Sequence, residues 1–127
     1  MENNKKKIHF LVIDDEEGVA NALCLLLKAI GHSATGCIES GQAGKILASE
    51  QANQIDLILC DLRMPQHDGF WVLAERNHHC KDKPFVLMSA HAGSDDIERA
   101  LSSGANAFLP KPFDPDDIAQ LLNELGL

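Results

Sequence analysis

Short, almost uninterrupted apolar runs alternate along this chain with stretches of helical periodicity. The runs are Ile8–Ile13, Ile55–Cys60, Phe85–Met88 and Ala107–Leu109. They are rich in Ile, Val, Leu and Phe and mostly lack the every-second-residue polar alternation of a half-solvated strand. Such runs fit strands covered on both faces, as in a parallel sheet. Ser33–Cys37 has little apolar content and fits an edge strand. Between the runs lie predicted helices. One covers Glu17–Ile30, with Val19, Leu23, Leu26, Leu27 and Ile30 on one stripe and Gly31 stopping it. A second is capped by Ser40 and runs to Ser49, with Ile46 and Leu47 inward. A third opens at Gly69 and runs to about His78, carrying Phe70, Val72, Leu73 and Arg76. In the fourth, Ser94 caps Asp95–Ser103, with acids in the first turn and Gly104 closing it. The last opens on the Asp114-Pro115 cap pair and faces Ile118, Leu121, Leu122 and Leu125 inward. Five successive βα units predict an α/β fold: a parallel sheet with helices on both faces and right-handed crossovers.

In such a sheet the carboxyl ends of all strands share one edge, where open α/β folds bind ligands. The first strand ends at Asp14-Asp15, the third at Asp61, the fourth at Ser89-Ala90, and the fifth runs into Lys111-Pro112. Alone, each of these residues is ordinary: an aspartate after a strand usually caps a turn or helix, and a lysine is usually surface. Together they put three carboxylates, a hydroxyl and an ammonium in one place. Two carboxylates about 4 Å apart repel by roughly 4 kcal/mol at a near-surface effective dielectric, so the cluster calls for a cation. Lys111 supplies one charge, and Mg²⁺ by preference (or Mn²⁺), a hard ion held by a few carboxylates and several waters, would supply the rest. Asp61 could then act as a nucleophile toward phosphorus, with Lys111 and Ser89 meeting the phosphoryl oxygens. Glu16 and Glu17 instead begin the first helix, where negative charge suits its positive end.

Composition narrows the picture without redirecting it. The 127 residues make one domain's worth of chain, 45% hydrophobic and 24% charged. Residues 1–127 are expected to form a single domain, with residues 1–6 as a flexible basic tail. The net charge of −8 argues against nucleic-acid or anionic-membrane binding. No apolar stretch reaches membrane-spanning length, and no apolar signal-peptide core follows the basic N-terminus. Cys24, Cys37, Cys60 and Cys80 show no CxxC spacing, which fits reduced thiols in a cytoplasmic protein. His78-His79-Cys80 reads as a solvated helix end, because adjacent residues do not share a helix face.

These positions carry a resemblance. Asp14-Asp15, the DLRMPQHDG segment around Asp61, Ser89-Ala90 and Lys111-Pro112 resemble the signature positions of the receiver domain of two-component response regulators, over residues 7 to 127. The resemblance implies a flavodoxin-like (βα)5 three-layer sandwich with strand order 2-1-3-4-5. It implies Asp61 as phosphoacceptor, Asp15 as a direct Mg²⁺ ligand, Asp14 acting largely through water, and the Arg63 backbone carbonyl as a further ligand. Ser89 and Lys111 would bind the phosphoryl group, with Lys111-Pro112 cis. Phe108 matches the family's switch aromatic, where tyrosine is more frequent; without a hydroxyl it should favour the inward rotamer. Ser89 and Phe108 would together switch the face made by the fourth helix, fifth strand and fifth helix. Arg63 and His91 occupy the two positions that tune acyl-phosphate lifetime. The partners implied are a sensor histidine kinase or histidine phosphotransfer domain and a downstream output domain or protein, with a phosphorylation-dependent homodimer as one mode. The chain would catalyse only its own phosphorylation and autodephosphorylation.

Other readings fit less well. An aspartyl phosphohydrolase usually carries a second acid two residues beyond the nucleophile, where this chain has Arg63, and usually needs a cap over its substrate. Neither GxxxxGK[ST] nor GxGxxG is present, and a flavin carrier would want more aromatics than Trp71 and five Phe. The non-catalytic alternative is an unphosphorylated receiver-like interaction module. With the fifth helix reaching the end of the chain, both a single-domain regulator and the receiver portion of a longer protein are consistent with the sequence.

Overall fold

A computed structural model describes residues 6–127; of the expected basic tail, residues 1–5 lie outside the described residues. Five parallel strands, β1 (His9–Ile13), β2 (Ser33–Cys37), β3 (Leu57–Asp61), β4 (Phe85–Ser89) and β5 (Ala107–Pro110), form one sheet in the order β2-β1-β3-β4-β5. The helices are α1 (Glu17–Ala29), α2 (Ser40–Leu47), α3 (Gly69–His79), α4 (Ser94–Ser102) and α5 (Pro115–Glu124). This is the flavodoxin-like arrangement. Register pairs Val12 with Gly36 and Leu59, Asp61 with Met88, and Ser89 with Pro110, so the polar strand ends come level along one edge.

Successive strand residues face opposite sides of the sheet, and the core splits accordingly. Leu11, Ile13, Ile58, Cys60, Phe85 and Leu87 pack with Ile46 and Leu47 of α2 and Phe70, Val72 and Leu73 of α3, joined by Ala100 of α4. Phe10, Val12, Leu57, Leu59, Val86, Met88 and Leu109 pack with Leu27 of α1 and Ile118, Leu121 and Leu122 of α5. This is why the central strands read as unbroken apolar runs. At the edge, β2 pairs with β1 alone among the described residues and is mostly half-exposed. All four cysteines are free thiols, and burial pushes each above the ordinary thiol range.

Several boundaries differ from the sequence expectation for identifiable reasons. Ser40 does not cap α2; it is the first helical residue, with Glu39 before it, and its hydroxyl is buried without a hydrogen-bond partner among the described residues. The helix ends at Leu47 because the Ser49 hydroxyl donates to the Ile46 carbonyl and accepts from the Gln51 amide, opening a separate 3-10 turn over Glu50–Gln54. Ser94 is likewise the first residue of its helix, and the cap position falls on Gly93. The Asp114-Pro115 expectation holds: Asp114 and Asp117 each accept the other's backbone N–H. Gly31 and Gly104 take the positive φ (98° and 108°) that ends α1 and α4.

One buried polar contact ties the far side together. Arg76, 3% exposed on α3, has no carboxylate partner among the described residues. Its Nη2 donates to the Gly104 carbonyl (2.7 Å) and Asn106 Oδ1 (3.1 Å), and its Nη1 to the Lys81 carbonyl (3.2 Å). Burial lowers its pKa from the usual arginine value. Asn106 Oδ1 also accepts the Phe85 N–H (2.9 Å) at the start of β4. Asn106→Ala strips an acceptor from a buried guanidinium and from a backbone amide at once. It should lower the unfolding free energy by about 2–3 kcal/mol in urea titrations; a loss within the noise of a surface substitution would show that water replaces the side chain.

Candidate functional site

Every polar residue flagged at a strand end lies on one rim. Asp14 follows β1 and is fully buried; its backbone N–H donates to the Cys37 carbonyl (3.0 Å), fixing it across to β2. Its Oδ1 accepts the Glu16 N–H (3.0 Å), and its Oδ2 accepts from Lys111 Nζ at 2.7 Å. Lys111 Nζ also lies 3.3 Å from Asp61 Oδ1. Carboxylate oxygens of Asp14, Asp15 and Asp61 all fall within 4.8 Å of one another, a donor set able to hold a metal ion. All-oxygen donors with a buried member and a half-exposed Asp15 fit a hard, partly hydrated divalent cation. The His78-His79-Cys80 stretch forms no comparable group among the described residues; His79 Nε2 sits 3.7 Å from Glu75.

The backbone around these groups is closely fixed. The Lys111 N–H donates to the Ser89 carbonyl (2.9 Å), and Lys111-Pro112 is cis, as expected. Ser89 is buried, and its Oγ accepts the His91 N–H at 3.2 Å. Beyond Asp61, the Leu62 N–H donates to the Met88 carbonyl and the Gly69 N–H returns to the Leu62 carbonyl (2.8 Å). A Cβ at Gly69 would stand 2.7 Å from the Asp61 carbonyl oxygen and 2.5 Å from Leu87 Cδ2. Only glycine lets α3 begin this close behind Asp61. Asp68 then caps α3 by accepting the Trp71 N–H (3.1 Å).

The electrostatics follow from crowding. Burial pushes the Asp61 carboxyl above the usual aspartate range; Lys111 pulls it back, and Asp14 and Asp15 push it up again. For Lys111, burial favours the neutral amine, but the hydrogen bond to Asp14 and the charges of Asp61 and Asp14 outweigh it, and its pKa is raised. The ammonium is therefore retained at neutral pH while Asp61 ionises reluctantly.

Residues 10–123 match the family model described as the response regulator receiver domain. The chain belongs to the response regulator receiver family. Among curated relatives, it is 33% identical over 120 residues to the transcriptional regulatory protein GlrR of Escherichia coli K12, covering 94% of this chain and 26% of that one. It is 28% identical over 117 residues to the response regulator SaeR of Staphylococcus aureus, covering 92% of this chain and 50% of that one. The chain thus spans a quarter to a half of the length of these relatives. A receiver-domain crystal structure from Clostridium thermocellum superposes with a TM-score of 0.84 at 27% identity, covering 91% of each chain. A CheY-like receiver structure from Methanospirillum hungatei, at 19% identity and a TM-score of 0.81 over 94% of each chain, shares the fold.

On this receiver domain the remaining flagged residues sit around the rim. Phe108, half-buried on β5, pairs with Leu87 and packs against the core on the α2–α3 side. His91 is exposed just past Ser89. Arg63 is also exposed, and its Nη2 bonds to Asp96 Oδ2 of α4 at 2.8 Å. Sequence reasoning gave Asp96 only a helix-dipole role and gave Lys111 no direct link to Asp14. Separations of 33 and 97 residues leave no local signal for either pair. Gly69 was noted as a helix start, but its close approach to Asp61 needs the folded chain.

The raised Asp61 pKa has a defined consequence for stability. Folding favours the protonated carboxyl, so this group's contribution is present at acid pH and is lost as pH rises through the folded-state pKa. In chelator, Asp61→Asn should therefore be more stable than the parent at neutral pH, with the gap closing toward acid. Urea midpoints measured from acid to neutral pH would contradict this if Asp61→Asn were the less stable protein at neutrality.

Proposed function

We propose that Asp61 is the phosphoacceptor of this receiver domain. The observation that carries the reading is the convergence of Asp14, Asp15, Asp61, Lys111 and Ser89 at the carboxyl edge of the sheet. A carboxylate oxygen of Asp61 forms a bond to phosphorus as the P–N bond of a phosphohistidine donor breaks, and the departing imidazole takes up a proton. Lys111 meets the charge on the phosphoryl oxygens with an ammonium already fixed between Asp14 and Asp61, and the Ser89 hydroxyl turns to donate to one of them. Asp14, Asp15, Asp61 and the Arg63 carbonyl would hold Mg²⁺ or Mn²⁺, which supplies the positive charge that lets two anions approach. Hydrolysis returns the Asp61 carboxylate and inorganic phosphate, so the domain acts on itself alone.

Movement of Ser89 onto the phosphoryl group, with Phe108 turning inward, would repack α4, β5 and α5. That face would meet an output domain or protein, or a second phosphorylated copy. The donor is a sensor histidine kinase or a histidine phosphotransfer domain, and the setting is the cytoplasm. Among the described residues no helix is long and apolar enough to cross a membrane. Residues 1–127 would act as one receiver domain.

Incubation with acetyl phosphate and Mg²⁺ should add the mass of one phosphoryl group, and Asp61→Asn should abolish the addition. Asp15→Asn should raise the Mg²⁺ concentration needed by about tenfold or more. Full labelling of Asp61→Asn would sink the assignment, and no labelling of the parent would favour an unphosphorylated interaction module. Arg63 and His91, both bulky and able to shield the acyl phosphate from water, should slow its decay. Phosphate release from the Arg63→Asn, His91→Ala double variant should be several-fold faster, and an unchanged rate would refute the role.

A further inference from the structure

Helix α4 is held at its two ends by different means. Along its length only Ala100 is buried, while Ile97 and Leu101 are 36% and 49% exposed. At its C-terminal end, the Asn77 side chain donates to the Ser103 carbonyl (2.9 Å) and the buried Arg76 to the Gly104 carbonyl (2.7 Å). In its last turn, the Arg99 guanidinium lies 3.8 Å over the Phe70 ring. At its N-terminal end the side-chain tie among the described residues is the Arg63–Asp96 pair: one 2.8 Å hydrogen bond between side chains 63% and 24% exposed. An exposed pair of this kind is weak and exchangeable, whereas the other end is also held by Arg76, a side chain buried in the fold.

Arg63 also stands two residues beyond Asp61. Its guanidinium rests on the Asp96 carboxylate, and charge collecting on Asp61, two residues back along the chain, would compete for it. We propose that Asp96 is a positioning residue that holds Arg63 on α4 until a phosphoryl group on Asp61 draws the guanidinium away. The exchange frees the first turn of α4, a route to the switch face separate from Ser89 and Phe108. The inference rests on Asp61 being the phosphoacceptor. Its driving force is elementary: a phosphoryl group carries nearly twice the charge of a carboxylate and offers three acceptor oxygens, and guanidinium binds such groups with two parallel hydrogen bonds. Because the two partners compete for one cation, their coupling is reciprocal. Removing Asp96 must favour the phosphorylated state by the factor with which Asp96 opposes it.

The test is a double-mutant cycle on the full chain, using beryllofluoride with Mg²⁺ as the phosphoryl probe and affinity as the readout. Asp96→Asn should tighten binding about two- to fivefold, the scale of an exposed ion pair. In an Arg63→Gln background the same Asp96→Asn change should do nothing. Amide hydrogen exchange in residues 94–97 of the parent should also accelerate when the probe binds. The proposal is overturned if Asp96→Asn leaves affinity unchanged or weakens it, or if it tightens binding equally in both backgrounds, which would mark a helix-dipole or general charge effect. It is equally overturned if exchange at residues 94–97 does not respond. Failure of the parent itself to bind the probe would instead strike the phosphoacceptor reading, and this inference with it.

Discussion

A carboxylate with no exposed surface must be paired to stay charged, and Asp14 is paired with Lys111 at 2.7 Å. Much of the site's geometry depends on that contact. It joins the end of β1 to the residue just past β5, across β3, which carries Asp61, and β4. Removing one member of such a buried pair typically costs about 3–5 kcal/mol, because the other is left charged and unpartnered. The pair also stations the ammonium 3.3 Å from Asp61, so the contact that makes a buried aspartate tolerable is the one that prepares a place for incoming negative charge.

The rest of the molecule can be seen as a frame for that rim. Two apolar layers fix the central strands from both sides, and parallel pairing brings their ends level. Gly69 then lets α3 start directly behind Asp61. Helix α4 stands apart, tied mainly through side-chain hydrogen bonds, an ion pair and a cation–π contact rather than through a buried apolar face. Weakly anchored elements sit at the low-stability end of a fold and are the ones available to move. The asymmetry between a rigid rim and a loosely tied helix is what a switching surface requires.

The sequence carried the fold because both of its signals are local. Unbroken apolar runs such as Leu57–Cys60 read as doubly covered strands, and helical stripes such as Ile118, Leu121 and Leu122 read as one-sided helices; the structure places each accordingly. It carried the site's membership because a parallel sheet converts "last residue of a strand" into a shared location. It failed at caps: Ser40 and Ser94 have the right chemistry for a cap but sit one residue inside their helices. A cap depends on the backbone angle of a single residue, and here Glu39 and Gly93, not the serines, take the extended angle.

By itself, then, the sequence determined the element order, the sheet type and which polar residues would meet at its edge, since these follow from periodicity and from the geometry of parallel strands. Only the tertiary structure decided which of those residues bond to which. That Lys111 rests on Asp14 more closely than on Asp61, that Arg63 reaches Asp96, and that the Arg76 guanidinium is held through its two Nη atoms by carbonyl oxygens rather than a carboxylate are all long-range choices. They turn on ångström differences in distance and on burial, and no local pattern along the chain encodes either.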